Sequence, residues 1–250
     1  MRTLAIDIGN TAVKAALFDN GRLVRFESLE VASVADALSL VEYVSDGEAP
    51  DTAGYCSVVP AVRAHVAGAL SQIGISSPVV ITARSRVPFE IRYTSRDTLG
   101  ADRLAVVAGG WFRTRVSGRP MIVVDAGTAT TVEVMDRAGA YRGGPILPGP
   151  DLMISALDRG TAQLPNVELT VPDTPVGATT TQALQAGVMY GYVDAVRGLL
   201  SRITDEIGRD AVIVATGGWG GLVAEFVPGV QAHRPYLVLE GVVELMGYEL

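Results

Sequence analysis

Two stretches of the sequence place an aspartate and a glycine directly after an apolar strand. "LAIDIGNT" contains Asp7 and Gly9, and "MIVVDAGTATT" contains Asp125 and Gly127. Glycine lets the backbone N–H groups of a tight loop come close to a ligand, and several such groups form a concave site for phosphate oxygens. A carboxylate repels phosphate, so these aspartates are suited to holding a cation, and Mg²⁺ typically takes one or two carboxylates. The spacing therefore predicts two phosphate-binding loops.

Neighbouring residue types support this interpretation, although each loop alone also fits an ordinary Asx turn. Asn10 and Thr11 add neutral hydrogen-bond donors to the first stretch, and three threonines add them to the second: Thr128, Thr130 and Thr131. Recurrence of the pattern in the second half of the chain favours ligand binding over a simple turn. It also predicts two similar domains, 1–117 and 118–250, with a polar, turn-rich boundary at 114–120.

Two charged residues near these loops have both a chemical and a structural interpretation. Lys14 is the single lysine of a chain with 20 lysines and arginines together, so either base composition or a need for a compact ammonium explains it. Asp102 stands in "GADR" at the predicted start of a helix. A carboxylate there fits helix capping, and it also fits a general base that accepts the proton of an attacking hydroxyl in phosphoryl transfer.

Composition excludes several classes of function. The net charge of −7, without any cluster of lysine and arginine, argues against binding to nucleic acid or to anionic membranes. No apolar run reaches the roughly 18 to 20 residues that a membrane span needs. Cys56 is the single cysteine, which excludes an internal disulfide and indicates a reducing compartment, here the cytoplasm. Its apolar neighbours favour a small buried hydrophobe over a catalytic thiol.

Strands alternate with helices along the chain, which predicts an α/β fold. Each half opens with a strand, a tight loop and a second strand, and the first half continues through a "DNG" hairpin turn at 19–21. The helices predicted from apolar spacing include 31–47, 60–74, 103–113, a long one from Thr181 to Ile207, and a last one over 239–247.

In these motifs the sequence resembles type III pantothenate kinase, a family of the acetate and sugar kinase, Hsp70 and actin superfamily. The motifs occur in the family's order: "DIGNT" (7–11), "GADR" (100–103), "DAGTATT" (125–131), "GGPILPG" (143–149), "TTQALQAGVMYGY" (180–192) and "TGG" (216–218). The resemblance implies two ribonuclease H-like (actin-like ATPase) domains with a cleft between them that binds ATP. It also implies a homodimer that phosphorylates pantothenate at its terminal hydroxyl, the first step of coenzyme A synthesis.

The resemblance further implies roles for individual residues. ATP would contact the first loop and one threonine of the second: Asp7, Ile8, Gly9, Asn10, Thr11, Ala12, Val13, Lys14 and Thr128. Asp102 would be the proton acceptor. Pantothenate would contact Tyr93, Gly100, Ala101, Asp102, Arg103 and Thr180. Asp125 would hold a monovalent cation, K⁺ or NH₄⁺, while Asp7 is the expected contact of the Mg²⁺ that accompanies ATP. Helix 181–207 is the expected part of the homodimer contact.

Some points stay open at the level of sequence. Arg96 stands where the family often has proline, and residues 104–110 lack an asparagine that usually follows "GADR", so the acceptor pocket is expected to differ. "TGG" at 216–218 fits either a left-handed turn or the close approach of a flat base. Two other functions fit the same motifs. One is another small-molecule kinase or phosphatase of the superfamily, and the other is a nucleotide-binding accessory protein with little or no kinase activity.

Overall fold

The computed structural model describes residues 1–114 and 118–249, which form two compact units. The first unit contains the described residues up to 114 together with 236–249, and the second contains 118–235. The predicted domain boundary after residue 117 adjoins residues 115–117, which lie outside the described ranges. Each unit is a β-sheet with helices packed on it, so the α/β class predicted from the sequence is confirmed.

The regular elements are numbered in chain order. The strands are β1 (Arg2–Ile8), β2 (Ala12–Asp19), β3 (Arg22–Glu30), β4 (Thr52–Ser57), β5 (Val79–Ile81), β6 (Glu90–Ile91), β7 (Met121–Ala126), β8 (Ala129–Met135), β9 (Ala140–Gly143), β10 (Ile146–Pro148), β11 (Val212–Thr216) and β12 (Val230–His233). The α-helices are α1 (Ala37–Ser45), α2 (Pro60–Gln72), α3 (Ala101–Thr114), α4 (Pro150–Gly160), α5 (Thr180–Ile207), α6 (Gly220–Phe226) and α7 (Leu237–Glu249). Two short 3₁₀ helices cover Val31–Asp36 and Arg96–Thr98.

The sheet of the first unit has the strand order β3-β2-β1-β4-β5. β2 pairs antiparallel with β1 and β3, while β4 pairs parallel with β1 and β5. α1 and α2 pack on one face, where they cover the alternate apolar side chains of β1 and β2, including Leu4 and Val13. α7 packs on the opposite face so closely that a Cβ on Gly54 would lie 2.6 Å from the sulfur of Met246. The first sheet is therefore covered on both faces.

Within the second unit the strands follow the order β12-β11-β7-β8-β9, and β10 pairs with β8. β8 runs antiparallel to β7 and β9, and β11 runs parallel to β7 and β12. With β10 set aside and the sheet read from β9 to β12, the strands are the third, second, first, fourth and fifth of the unit, which is the arrangement of the first sheet read from β3 to β5. The internal repeat that the two Asp-x-Gly loops predict is thus present in the topology of both sheets.

The long helix of the second unit follows the sequence prediction closely. α5 covers Thr180–Ile207, and the side chain of Thr179 accepts a hydrogen bond from the backbone N–H of Gln182 at 3.2 Å, as an N-cap residue does. The buried face of α5 joins the apolar residues of β7 and β11 in one core. No α-helix in the described part of the chain is long and apolar enough to cross a lipid bilayer.

The last helix belongs to a different unit from the one expected. The sequence predicts that residues 118–250 form the second domain, whereas α7 groups with residues 1–114. The reason is a close helix pair between α3 and α7, in which a Cβ on Gly241 would lie 1.8 Å from the carbonyl oxygen of Ala105. Only glycine allows the two backbones to approach to this distance. α7 therefore completes the first sheet from the far end of the chain.

Candidate active site

The first predicted loop joins β1 to β2. Residues 9–11 form the connection, and the N–H of Gly9 donates to the carbonyl of Ala12 at 3.0 Å. Asp7, the next to last residue of β1, pairs with Lys14 on β2 and with Cys56 on β4. Directly paired residues of neighbouring strands lie on the same face of a sheet. The carboxylate therefore has an ammonium side chain on one side and a thiol on the other.

Burial changes the acidity of Asp7, which is only 7% exposed. Desolvation raises the pKa of its carboxyl to about 6, Lys14 acts in the opposite direction, and the nearby charge of Asp102 raises the pKa further. The sulfur of Cys56 lies 3.5 Å from Asp7 Oδ1. Burial, together with the two carboxylates, raises the pKa of the Cys56 thiol well above its usual range, so the thiol stays protonated and donates to Asp7.

The other residues of the first loop divide by the direction of their side chains. Ile8 and Val13 are fully buried in the apolar core beside α1 and α2 and pair with each other in the sheet, so their side chains support the loop from below. Asn10 and Thr11 are exposed. The loop thus combines exposed neutral donors with backbone N–H groups, which is the composition that the phosphate prediction requires.

Asp102 lies in the first turn of α3. Its Oδ1 accepts a hydrogen bond from the backbone N–H of Arg103 at 2.7 Å, and a Cβ on Gly100 would come within 2.3 Å of the same oxygen. Glycine at position 100 therefore leaves room for the carboxylate to fold over the helix start. The half-buried carboxylate interacts with Asp7 electrostatically, so the structure brings both predicted acidic residues of the first unit together.

Arg103 and Tyr93, both expected to contact the acceptor, also lie together. Arg103 is 7% exposed, and its guanidinium carbon lies 5.6 Å from the centre of the Tyr93 ring. This is a cation–π contact, which holds the guanidinium in one orientation. Gly100 and Ala101 line a depression of about 510 Å³ in the first unit, together with the side chains of Arg63 and Arg84 among others.

The two departures from the family pattern serve the packing of the first unit. The guanidinium of Arg96 donates to the backbone carbonyls of Ala83 and Ser85, at 2.8 and 3.2 Å, and so ties two loops together. Residues 104–108 are buried in α3, and a Cβ on Gly109 would lie 2.3 Å from the carbonyl of Leu237. Both departures thus support the arrangement of the loops and the contact of α3 with α7.

The second loop has the same construction and is one residue shorter. Residues 127 and 128 join β7 to β8, and the N–H of Gly127 donates to the carbonyl of Ala129 at 3.2 Å. Asp125 is half-buried and pairs with Thr131 on β8 and with Thr216 on β11. Its register is that of Asp7 in the first sheet, with two threonines in place of the lysine and the cysteine.

Two glycines, one from "TGG" and one from "GGPILPG", pack against this second loop. Gly217 of "TGG" has φ +84°, and a Cβ there would lie 2.6 Å from Asp125 Oδ1. A Cβ on Gly149 of "GGPILPG" would lie 2.0 Å from the carbonyl of Gly127. Gly217 of "TGG" therefore adopts a left-handed turn against the loop, and the approach of a flat base to this turn stays a prediction. The signal for both positions was present in the sequence as glycines that follow apolar strands.

The remaining predicted residues of the second unit lie at element ends. Thr128 is exposed, and its carbonyl accepts from the N–H of Gly149 at 2.9 Å. Thr180 is the exposed first residue of α5. Below the loop, the hydroxyls of Thr130 and Tyr192 are 2.8 Å apart in the buried core, and burial raises the pKa of Tyr192 to about 12. This hydrogen bond links β8 to α5.

The match to a protein family favours one of the functions that the motifs left open. The family model described as type III pantothenate kinase matches residues 3–202, most of the chain. The chain belongs to the type III pantothenate kinase family. It is therefore a phosphotransferase with an alcohol as acceptor, and the α/β fold is that of two ribonuclease H-like domains of the actin-like ATPase class.

Curated type III pantothenate kinases match over nearly their full length. The protein of Chlorobaculum tepidum is 37% identical, with 95% of this chain and 91% of the relative covered. Type III pantothenate kinase 1 of Symbiobacterium thermophilum is also 37% identical, covering 99% of this chain and 96% of the relative. The Persephonella marina protein is 32% identical, with 98% of each chain covered.

Solved structures that resemble this type III pantothenate kinase family member show the fold alone, because their sequences are distant. A ROK family glucokinase from Streptomyces griseus, crystallised with glucose and AMPPNP, has a TM-score of 0.55 at 13% identity, with 98% of this chain and 99% of that chain covered. The activator of 2-hydroxyisocaproyl-CoA dehydratase from Clostridium difficile, with bound ADPNP, has a TM-score of 0.53 at 13% identity and covers 100% and 95%.

Proposed function

We propose that this chain transfers the γ-phosphoryl group of ATP to the terminal hydroxyl of pantothenate, with the two loops and Asp102 as the main catalytic parts. The observation that carries the proposal is that Asp7 and Asp102 lie close enough to interact electrostatically in the first unit of a type III pantothenate kinase family member. Phosphoryl transfer depends on positioning and on neutralising phosphate charge, and it needs one carboxylate near the attacking hydroxyl.

ATP is bound in this proposal by residues 7–14 of the first unit and by Thr128 of the second. Backbone N–H groups of the first loop and the Lys14 ammonium contact the phosphates, while Asn10 and Thr11 add side-chain donors. The support is the exposed donors beside a buried strand end and the position of Lys14 directly opposite Asp7. A lysine is suited to phosphate as a compact point charge.

The acidic residues fit Mg²⁺ bound with ATP. The described residues contain no cluster of three or more His, Cys, Asp or Glu side chains that would enclose an ion, and Asp7 and Asp102 interact as a pair. Mg²⁺ keeps several waters and needs only one or two carboxylates beside the phosphates, so this set suits it, with Asp7 as the direct or water-mediated contact. When bound, the ion neutralises charge on the phosphate oxygens.

Asp102 accepts the proton of the pantothenate hydroxyl. Its Oδ1 accepts a hydrogen bond from the backbone N–H of Arg103, which holds the carboxylate in one direction. Tyr93, Arg103, residues 100–101 and Thr180 contact the acceptor. The guanidinium that stacks on Tyr93 is suited to the carboxylate of pantothenate, because arginine binds carboxylates with two parallel hydrogen bonds.

Asp125 holds a monovalent cation, K⁺ or NH₄⁺. Asp125 pairs with Thr131 on β8 and with Thr216 on β11, so the side chains of these three residues offer oxygen ligands. Oxygen ligands suit a hard cation of this kind. The active form is a cytoplasmic homodimer in which α5, a helix of 28 residues, forms part of the contact.

A direct assay tests the proposal. The purified protein is incubated with ATP, Mg²⁺ and K⁺ and with pantothenate or a series of other hydroxy acids, and ADP release is coupled to NADH oxidation. We expect ADP release with pantothenate, with phosphopantothenate identified by mass spectrometry, and much slower release with the other acids. ATP binding without any phosphorylated product would overturn the proposal in favour of the accessory-protein alternative, and faster turnover of another hydroxy acid would reassign the substrate.

A further inference from the structure

Asp7 receives its side-chain hydrogen bond from an unexpected residue. Among the described residues, the Cys56 thiol is the one side-chain donor to the Asp7 carboxylate, at 3.5 Å from Oδ1. Lys14, on the other side of Asp7, contributes charge. A carboxylate that is 7% exposed requires a donor, because a buried acceptor without one costs the free energy of its lost hydration. The thiol meets this requirement from the adjacent strand.

From this contact we propose that Cys56 is a positioning residue of the phosphate site. Its thiol binds Oδ1 and so fixes the rotation of the Asp7 carboxylate. The other carboxylate oxygen, Oδ2, is then directed toward the metal-bound phosphates of ATP. The proposal rests on the proposed function, because it assigns Asp7 to the ATP and Mg²⁺ contact. Groups that orient a ligating carboxylate affect metal affinity and activity nearly as strongly as the ligands themselves.

The internal repeat supports this assignment independently. In the first sheet Asp7 pairs with Cys56 on the fourth strand of the unit, and in the second sheet Asp125 pairs with Thr216 at the same position. Both partners are buried, Cys56 fully and Thr216 to 1% exposure, and both side chains carry a hydrogen-bond donor. If this position only filled space in the core, it would need neither the thiol of Cys56 in the first sheet nor the hydroxyl of Thr216 in the second.

A purely structural role for Cys56 makes the opposite prediction about two simple variants. If the thiol only fills space, Cys56→Ala keeps an apolar side chain and retains activity. Cys56→Ser then buries a hydroxyl in an apolar environment and is the less stable and less active variant. If the thiol orients Asp7, Cys56→Ser retains a donor and Cys56→Ala removes it. The order of the two variants therefore separates the roles.

The test measures MgATP affinity by titration calorimetry, together with kcat, the KM for ATP and for pantothenate, and the Mg²⁺ concentration for half-maximal rate. For Cys56→Ala we expect MgATP affinity and the Mg²⁺ response to weaken by about 10-fold or more, with the KM for pantothenate unchanged. For Cys56→Ser we expect values within about 3-fold of the unsubstituted protein, because a hydroxyl donates to the same oxygen.

Ile81→Val is the matched control. Ile81 is buried and pairs with Cys56 from the neighbouring strand β5, and this substitution removes a group of similar size to the one that Cys56→Ala removes. It is expected to leave all kinetic values unchanged. Cys56→Ala with full MgATP affinity, or Cys56→Ser no better than Cys56→Ala, would overturn the proposal. If the unsubstituted protein binds MgATP and forms no phosphopantothenate, the proposed function fails, while the calorimetric order of the two variants still decides the role of Cys56.

Discussion

Asp7 is a residue whose position favours function over stability. It is the next to last residue of β1, where the other residues from Leu4 to Ile8 are apolar, it is nearly buried, and desolvation raises the pKa of its carboxyl to about 6. In the unfolded chain the same carboxyl has its ordinary pKa of 3.8. The folded protein therefore binds this proton more tightly than the unfolded one. The stabilising contribution is complete below pH 3.8 and is lost as the pH rises through about 6.

The first prediction follows from this sign. In metal-free buffer, Asp7→Asn should gain stability relative to the unsubstituted protein as the pH rises from 4.5 to 8, because the amide removes a charge that is costly to bury. The measurement is the difference in Tm between the two proteins at each pH, by calorimetry with EDTA present. The same variant should lose MgATP binding.

Asp36→Asn is the control for this prediction, since Asp36 is exposed in the same unit. Its Tm difference from the unsubstituted protein should stay constant over this pH range. A constant Tm difference for Asp7→Asn as well would show that the Asp7 carboxyl is not desolvated in the folded protein.

Cys56 shows what a single sequence does and does not reveal at this scale. Its apolar neighbours predict burial, and it is fully buried. Its contact with Asp7 depends on the parallel pairing of β1 with β4, which brings together residues 49 positions apart. The candidate residues of the first loop were recognisable because their types follow one another along the chain. The thiol was not, because its partner comes from another strand.

Local signals predicted most of the elements. "DNG" predicts the hairpin turn, where Asn20 and Gly21 adopt positive φ, and the predicted helix over 181–207 differs from α5 by one residue. β10 lies within the motif "GGPILPG", where the glycines and prolines around two apolar residues favour a loop and give no strand signal. The helix predicted over 31–47 is divided into a 3₁₀ segment and α1, with a kink at Ser33.

The position of α7 was not predictable in the same way. Its apolar pattern predicts a helix, and a helix is present, but its pairing with α3 depends on two glycines far apart in the chain. A Cβ on Gly109 or on Gly241 would meet the backbone of the facing helix at 2.3 or 1.8 Å. A close helix pair of this kind shows in the sequence only as glycines inside helices, and such glycines also occur where a helix ends or faces solvent.

Two glycines of α7 provide a matched pair for the second prediction. Gly241→Ala should destabilise the protein by at least about 1–3 kcal/mol, because the new methyl group overlaps the Ala105 carbonyl. Gly247→Ala on the same helix has no atom within 4 Å of the new Cβ and should stabilise by up to about 1 kcal/mol, because alanine favours the helix. Urea denaturation of both variants measures the two changes. Equal effects would contradict the packing of α3 on α7.

For the molecule as a whole, the repeated register assigns different chemistry to the two units. The first sheet places an ammonium and a thiol beside its loop aspartate, and the second places two hydroxyls beside its own. In the proposed function the residues beside Asp7 therefore bind the phosphates with Mg²⁺, and the residues beside Asp125 bind a monovalent cation. In this proposal one loop geometry supports two kinds of ion contact.

The third prediction concerns that monovalent cation. Turnover of pantothenate should rise sharply when K⁺ replaces Na⁺ at constant ionic strength, because the proposed cation site consists of Asp125 and its register neighbours Thr131 and Thr216, which offer oxygen ligands. Constant ionic strength keeps the screening of the other charges equal. Asp125→Asn should lower the rate in K⁺ and abolish the difference between the salts. Equal rates of the unsubstituted protein in K⁺ and Na⁺ would refute the assignment of the cation to Asp125.

The most direct test of the proposed chemistry is the steady-state rate of pantothenate phosphorylation by Asp102→Asn, with Asp97→Asn as the control. Asp97 is an exposed carboxylate that pairs with Arg84 in the same unit. Loss of a general base should lower kcat by about 10²- to 10⁴-fold while Tm and MgATP affinity stay close to those of the unsubstituted protein. Asp97→Asn should retain full activity. Near-normal turnover by a folded Asp102→Asn protein would contradict the account.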